Sequence, residues 1–173
     1  MTSYSVPVVR EPQQPDDVDV IVDAWQRQRP DVDVSAMQVL SRVSRLARHL
    51  DLARKEAFAA HDLETWEFDV LAALRRTGPP HDLSPGRLVA ETMVTSGTMT
   101  NRIDRLAERG LVERHPDPHD RRGVLVRLTS SGRRTVDAAL DELLEHERSI
   151  LAALDRAEAT RLADALRTLA RQV

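Results

Sequence analysis

Cysteine is absent from the sequence, which excludes disulfides, thiolate metal sites and cysteine nucleophiles, and fits a reducing compartment. Aromatic residues make up only 3%. Alanine, leucine and arginine dominate instead, a balance that favours helices packed through aliphatic side chains over a sandwich or barrel. No apolar run approaches the roughly 18 residues a membrane span needs. The N-terminus has no basic segment leading into an apolar stretch, so the expected location is the cytoplasm, with no membrane partner. Glycine-rich phosphate loops and the G-x-S-x-G nucleophile turn are also missing. Ser130-Ser131-Gly132 reads as the first turn of a capped helix, and no catalysis is expected.

What is present is charge, unevenly placed. The 173 residues suit one domain, with 41% hydrophobic and 31% charged residues and a net charge of −3. From Ser96 to Arg134 nine arginines face five acids, a local excess of +4 that leaves −7 for the remainder. Neutralising phosphate needs a local basic surface, not a basic protein.

Punctuation along the chain predicts a mainly α fold with a small two- to three-stranded β wing. Residues 1–17 carry Pro7, Pro12 and Pro15 with almost no periodicity, which predicts a disordered arm. A helix follows from Val18 to Gln28, with Val18, Ile21 and Trp25 on one side. A second begins after Asp33 or Ser35 and runs to about Ala60, its apolar residues at helical spacing from Met37 to Leu50. A third spans about Glu64 to Arg76 and stops at Thr77-Gly78-Pro79-Pro80. Ser84-Pro85 starts a short helix to about Thr92. Ser96, or Thr95 beside it, caps another that runs to Arg109, with Gly110 in the left-handed position. Leu111–Arg114 and Gly123–Leu128 read as strands around the turn HPDPHDRR, where Pro116 and Pro118 exclude a continued ladder. Thr129 caps a long helix to about Ala153, and a last helix covers about Ala157 to Gln172.

This order, helix, short helix, capped helix, ribbon, is that of a winged helix-turn-helix. In SGTMTNRIDRLAERG the apolar Met99, Ile103 and Leu106 share one face. Thr98, Asn101, Arg105 and Arg109 point the other way, with Arg102 between. A helix that enters the DNA major groove needs this division, an apolar side to fix it and polar groups to meet base edges and phosphates. Arg121 and Arg122 sit at the tip of a thin ribbon, where arginine suits the minor groove.

The run D120-R-R122-G-V-L-V-R-L128-T129 resembles the D-x-R-x5-L-T signature of the MarR (multiple antibiotic resistance regulator) family, and the resemblance extends over about residues 63–137. It implies a repressor that acts as a homodimer, with residues 18–60 forming dimerisation and ligand-pocket helices, 61–129 the winged domain, and 130–173 the C-terminal dimerisation helices. The double-stranded operator would be a pseudo-palindrome with half-sites about one helical turn apart. By the same resemblance Ser96, Thr98, Thr100 and Asn101 begin the recognition helix and face the groove. Arg121 and Arg122 lie at the wing tip, and Asp120 braces the wing through an ion pair with a nearby arginine. The base edges fall to Thr98 and Asn101, phosphates to Arg105 and Arg109, and the minor groove to Arg121 and Arg122.

Members of this family respond to anionic aromatic ligands, and one branch responds to urate. The chain resembles that branch at Trp25 in an extra N-terminal helix, Asp69 before the helix-turn-helix, Arg102 in the recognition helix and Arg114 on the first wing strand. A flat, weakly acidic ring can stack on tryptophan and accept hydrogen bonds from guanidinium. Its charge would compete with Asp69 for an arginine and shift the recognition helix. Phenolic compounds or antibiotics are the alternative effectors. A metal-responsive regulator is weaker still: His115 and His119 are four apart, but Pro116 and Pro118 separate them, and no cofactor or metal is expected. An architectural binder with phosphate contacts alone would show a steep salt dependence and no effector.

Overall fold

The computed structural model describes residues 14–120 and 122–172, so the expected arm lies outside the described residues as far as residue 13, and Arg121 lies outside them too. The element order is α1 (Asp17–Gln28), α2 (Met37–Ala59), α3 (Thr65–Arg76), β1 (Asp82–Leu83), α4 (Pro85–Thr92), α5 (Ser96–Glu108), β2 (Val112–Pro116), β3 (Val124–Leu128), α6 (Ser130–Leu151) and α7 (Arg156–Ala170). The fold is mainly helical with one three-stranded antiparallel sheet, ordered β1-β3-β2. Among the described residues no helix is long and apolar enough to cross a membrane.

The chain divides into two compact units, Met1–His49 and Leu50–Val173, the division falling inside α2. In the first unit Asp16 caps α1 by accepting hydrogen bonds from the Val18 and Asp19 amides. Arg42 on α2 ties this cap down through Asp16 and Asp19, each at 2.8 Å. The same guanidinium holds the Asp16 carboxyl below the usual carboxylate range. Val18 and Val22 are buried, as their i, i+4 spacing demands.

The second unit is built around α3. Val70, Leu71 and Leu74 are fully buried, and the aromatic rings of Phe58 and Phe68 stack with centroids 4.0 Å apart. Leu88 of α4, Met99, Ile103 and Leu106 of α5, Val126 and Leu128 of β3, and Val136 and Leu143 of α6 complete the core. Each such side chain contributes about 1.5–3 kcal/mol of hydrophobic stabilisation. The caps fall where short polar residues precede apolar periodicity. Ser84 accepts from Arg87 N ahead of Pro85, Thr95 from Thr98 N, and Thr129 from Gly132 N. Gly110 takes a φ of 67° and ends α5 as expected.

Three differences from the sequence expectation concern the sheet. β2 extends through Pro116, which sits opposite Val124 at the end of the ladder, on an edge strand where proline is tolerated. Gly123 lies outside β3. Its amide donates to Asp120 O and its carbonyl accepts from Asp117 N, and a Cβ there would fall 2.7 Å from Asp117 Cβ. The two-residue β1 pairs Asp82 with Arg127 and Leu83 with Val126, too short a strand to show a period. Arg127 secures it through an ion pair to Asp82 at 2.8 Å.

Candidate nucleic-acid interface

The recognition helix α5 presents the two faces its sequence implies. Met99, Ile103 and Leu106 are buried at 0–1% exposure, while Ser96, Thr98, Thr100 and Asn101 are exposed. The Thr98 hydroxyl shares a 2.9 Å hydrogen bond with the Thr95 hydroxyl, and the Thr100 hydroxyl donates back to Ser96 O. Asn101 makes no side-chain hydrogen bond among the described residues, which leaves a whole carboxamide for a base edge. The exposed hydroxyls and amide lie in the first two turns, the part of such a helix that reaches into a groove.

The arginines of α5 are not free on its surface. Arg105 donates to Glu64 at 2.7 Å, not to Glu108 one turn further along its own helix. Arg109 donates to Glu67 Oε2 at 2.7 Å and to both the backbone and carboxylate oxygens of Asp62. Arg102 and Arg105 both lie over the Trp66 ring, their guanidinium carbons 5.2 and 4.8 Å from its centroid. Trp66 Nε1 in turn donates to Glu64. That bond, followed by the Arg105 bond, holds the Glu64 carboxyl below the ordinary glutamate range.

Glu64, Trp66 and Glu67 were not singled out by the sequence. A signal existed for Glu67: it falls on the apolar stripe with Val70, Leu71 and Leu74 at helical spacing, and a carboxylate on a core stripe requires a cation.

At the wing, Asp120 accepts from the Arg122 amide at 2.9 Å. Its described bracing is therefore a turn hydrogen bond to backbone, where an ion pair is expected. Arg122 is exposed, and no side-chain partner of it occurs among the described residues. Arg114 on β2 pairs with Asp104 of α5 at 2.6 Å, tying the wing to the recognition helix.

The four expected ligand residues have separate surroundings. Trp25 is half exposed in the first unit. Asp69 pairs with Arg54 of α2 at 3.4 Å, not with Arg76 or Arg102. It lines an open surface depression of about 490 Å³ with Lys55, Leu63, Glu64, Thr65 and Trp66. Arg102 is not among the residues that line it and touches only Trp66, by its stack. Among the described residues no three or more His, Asp or Glu side chains gather in a way that could hold a metal ion.

Residues 61–123 match the MarR family model. The chain is 38% identical to the HTH-type transcriptional regulator PecS of Dickeya dadantii over 146 residues, which cover 84% of this chain and 88% of that one. Among solved structures it resembles a mutant of MarR from E. coli complexed with operator DNA, at a TM-score of 0.64 and 26% identity, covering 80% of this chain and 99% of that one. It also resembles BpsR of Bordetella bronchiseptica, whose DNA binding is regulated by 6-hydroxynicotinic acid, at a TM-score of 0.65 and 28% identity, covering 80% of this chain and 97% of that one.

Proposed function

The chain belongs to the MarR family of winged helix-turn-helix transcriptional regulators, DNA-binding proteins and not enzymes, and from that premise we propose that it is a cytoplasmic repressor released from its operator by a small anionic aromatic ligand. One observation carries the DNA half of this reading. The first two turns of α5 expose Ser96, Thr98, Thr100 and Asn101 together, on a helix whose opposite face is locked into the core. Arg121 and Arg122 at the wing would take the minor groove.

A homodimer is supported by apolar stripes that the single chain leaves uncovered. α7 has no buried residue, yet it carries Leu162, Leu166 and Leu169 at i, i+4 and i+7, all exposed. α6 exposes Leu140 and Leu144 likewise. Contiguous apolar stripes of this kind mark association surfaces. The partner is a second copy of the chain, and two such copies would read a pseudo-palindromic operator.

For the effector, urate is the specific proposal, with Trp25, Asp69, Arg102 and Arg114 as its contacts. The open depression beside Trp66 and Asp69 offers an indole on which a flat ring could stack. In the free protein the ion pairs Asp69–Arg54 and Asp104–Arg114 and the Arg102–Trp66 stack hold these groups. An anionic ring that recruits Arg102 or Arg114 would have to break one of them, and each lies on or against α5 or α3. The hydroxylated heteroaromatic acid that regulates BpsR keeps the wider class in view, and phenolic compounds are its other members.

A mobility shift on the upstream intergenic DNA, with and without urate up to millimolar levels and with phenolic acids in parallel, tests both halves. Failure of the wild type to bind would remove the regulator reading. Binding without release by urate would remove the urate assignment alone. Arg102→Ala and Trp25→Ala are expected to blunt release.

A further inference from the structure

Two arginines of α5 stand as candidates for DNA phosphates, and their surroundings separate them. Arg105 is 50% exposed and its partner Glu64 57% exposed. An ion pair that open to water contributes little. Exchanging that carboxylate for a phosphate therefore costs little in the ion pair itself, and leaves only the stack on Trp66 to be kept or replaced.

Arg109 differs in having a buried partner, although its second one, the Asp62 carboxylate, is 97% exposed. Its Nη1 donates at 2.7 Å to Glu67, a carboxylate with 2% side-chain exposure. Glu67 Oε2 also accepts from the Glu64 amide, and Oε1 is buried with no partner among the described residues. One oxygen of this carboxylate thus has no partner, and Arg109 is the one cation that balances it among the described residues. Nη2 meanwhile holds Asp62 O at 2.6 Å and Asp62 Oδ2 at 2.7 Å. Asp62 occupies the turn between α2 and α3 with a φ of 55°. One guanidinium fork therefore joins the end of α5, the start of α3 and the turn that precedes it. Moving Arg109 onto a phosphate would strand a buried charge, among the costliest losses in a protein interior. Arg109 is also the C-cap of α5, roughly 20 Å along the axis from the groove-facing first turn.

We infer that Arg109 is a positioning residue, which fixes the recognition helix against α3 through Glu67 and Asp62, and that of the two it is Arg105 that reaches phosphate. The inference rests on the DNA-binding reading above. It sharpens that reading by making the set of α5 depend on a carboxylate that never approaches DNA.

Salt dependence separates the two roles. Operator affinity is measured across a salt series for the wild type, Arg105→Gln, Arg109→Gln, Arg109→Lys and Glu67→Gln, each checked for folding by circular dichroism. Arg105→Gln is expected to flatten the slope of log affinity against log salt by about 0.9, the loss of one phosphate contact. Arg109→Gln is expected to weaken binding on the order of tenfold, the scale of one lost base match, with the slope unchanged. Arg109→Lys keeps the charge but loses the fork, and is expected to weaken binding as much. Glu67→Gln removes a negative charge yet is expected to weaken binding too. The inference is overturned if Arg109→Gln flattens the slope, if Arg109→Lys binds like the wild type, or if Glu67→Gln tightens binding. Should Glu67→Gln fail to fold, the two Arg109 variants still decide. A wild type that binds no operator would be a failure of the regulator reading, recognisable before any variant is compared.

Discussion

Gly132→Ala sets two effects of opposite sign against each other. Gly132 lies in the first turn of α6, where alanine is intrinsically better than glycine by up to about 1 kcal/mol. Its position denies that gain. A Cβ there would stand 2.0 Å from Leu111 O and 2.9 Å from Leu128 Cδ1, so α6 would have to retreat from the wing base by on the order of 1 Å to restore ordinary contact. The retreat would stretch the bonds that hold this junction. The Thr129 amide donates to Leu111 O at 3.1 Å, and the Thr129 hydroxyl bonds Gly110 O at 2.8 Å while accepting from Gly132 N at 2.9 Å. Overpacking together with one weakened hydrogen bond costs about 2–4 kcal/mol. After the propensity gain the net loss is about 2 kcal/mol, or roughly 4–8 °C in melting temperature for a chain of this size. The assay is thermal melting by circular dichroism at fixed protein concentration, since association shifts the midpoint. Gly86→Ala in the first turn of α4 is the control. A Cβ there meets nothing within 4 Å, and that variant is expected to hold or gain stability. A Gly132→Ala protein that melts at or above the wild type would refute the steric argument.

Thr95→Ala removes the cap of the recognition helix and the Thr95–Thr98 hydroxyl pair, and is expected to cost about 1 kcal/mol in urea denaturation and to weaken operator binding in a mobility shift. Glu64 has its pKa lowered by Trp66 and Arg105. Its stabilising effect is therefore complete above the ordinary glutamate pKa and fades as pH falls through the lowered one. Glu64→Gln is expected to flatten the acid side of the stability profile, read as urea midpoints against pH, and to leave the alkaline side unchanged. Leu162→Glu with Leu166→Glu changes two exposed positions of α7, so a lone chain should tolerate both. Sedimentation is expected to show the dimer lost while helicity remains, and an unchanged dimer would move the interface elsewhere.

Much of the fold is legible because it is written in local chemistry. Ser84-Pro85, Thr95, Gly110 and Thr129 punctuate the winged domain within a residue or so of the observed ends, since each cap bonds an amide or carbonyl no more than a turn away. Met99, Ile103 and Leu106 reveal the buried face of α5 by period alone. What stayed hidden depends on residues far apart in sequence. Arg109 finds Glu67 across 42 positions and Arg105 finds Glu64 across 41. No helical period announces such partners, so both arginines read as free cations. β1 is invisible for a related reason, because two residues become a strand only when Arg127 and Val126 lie beside them. Asp69 read as a residue that holds an arginine, but only the approach of α2 shows that the arginine is Arg54.

The stacking of Arg102 and Arg105 on Trp66 has an optical consequence. The chain contains two tryptophans, and Trp25 lies in the other unit, so Trp25→Phe leaves a single indole directly beneath the recognition helix. Indole emission responds to a neighbouring positive charge and to the entry of water. Any event that changes how α5 sits on α3, such as a lost Arg109, therefore passes through the fluorescence of one residue. The protein carries its own gauge of recognition-helix position, readable in solution without a label.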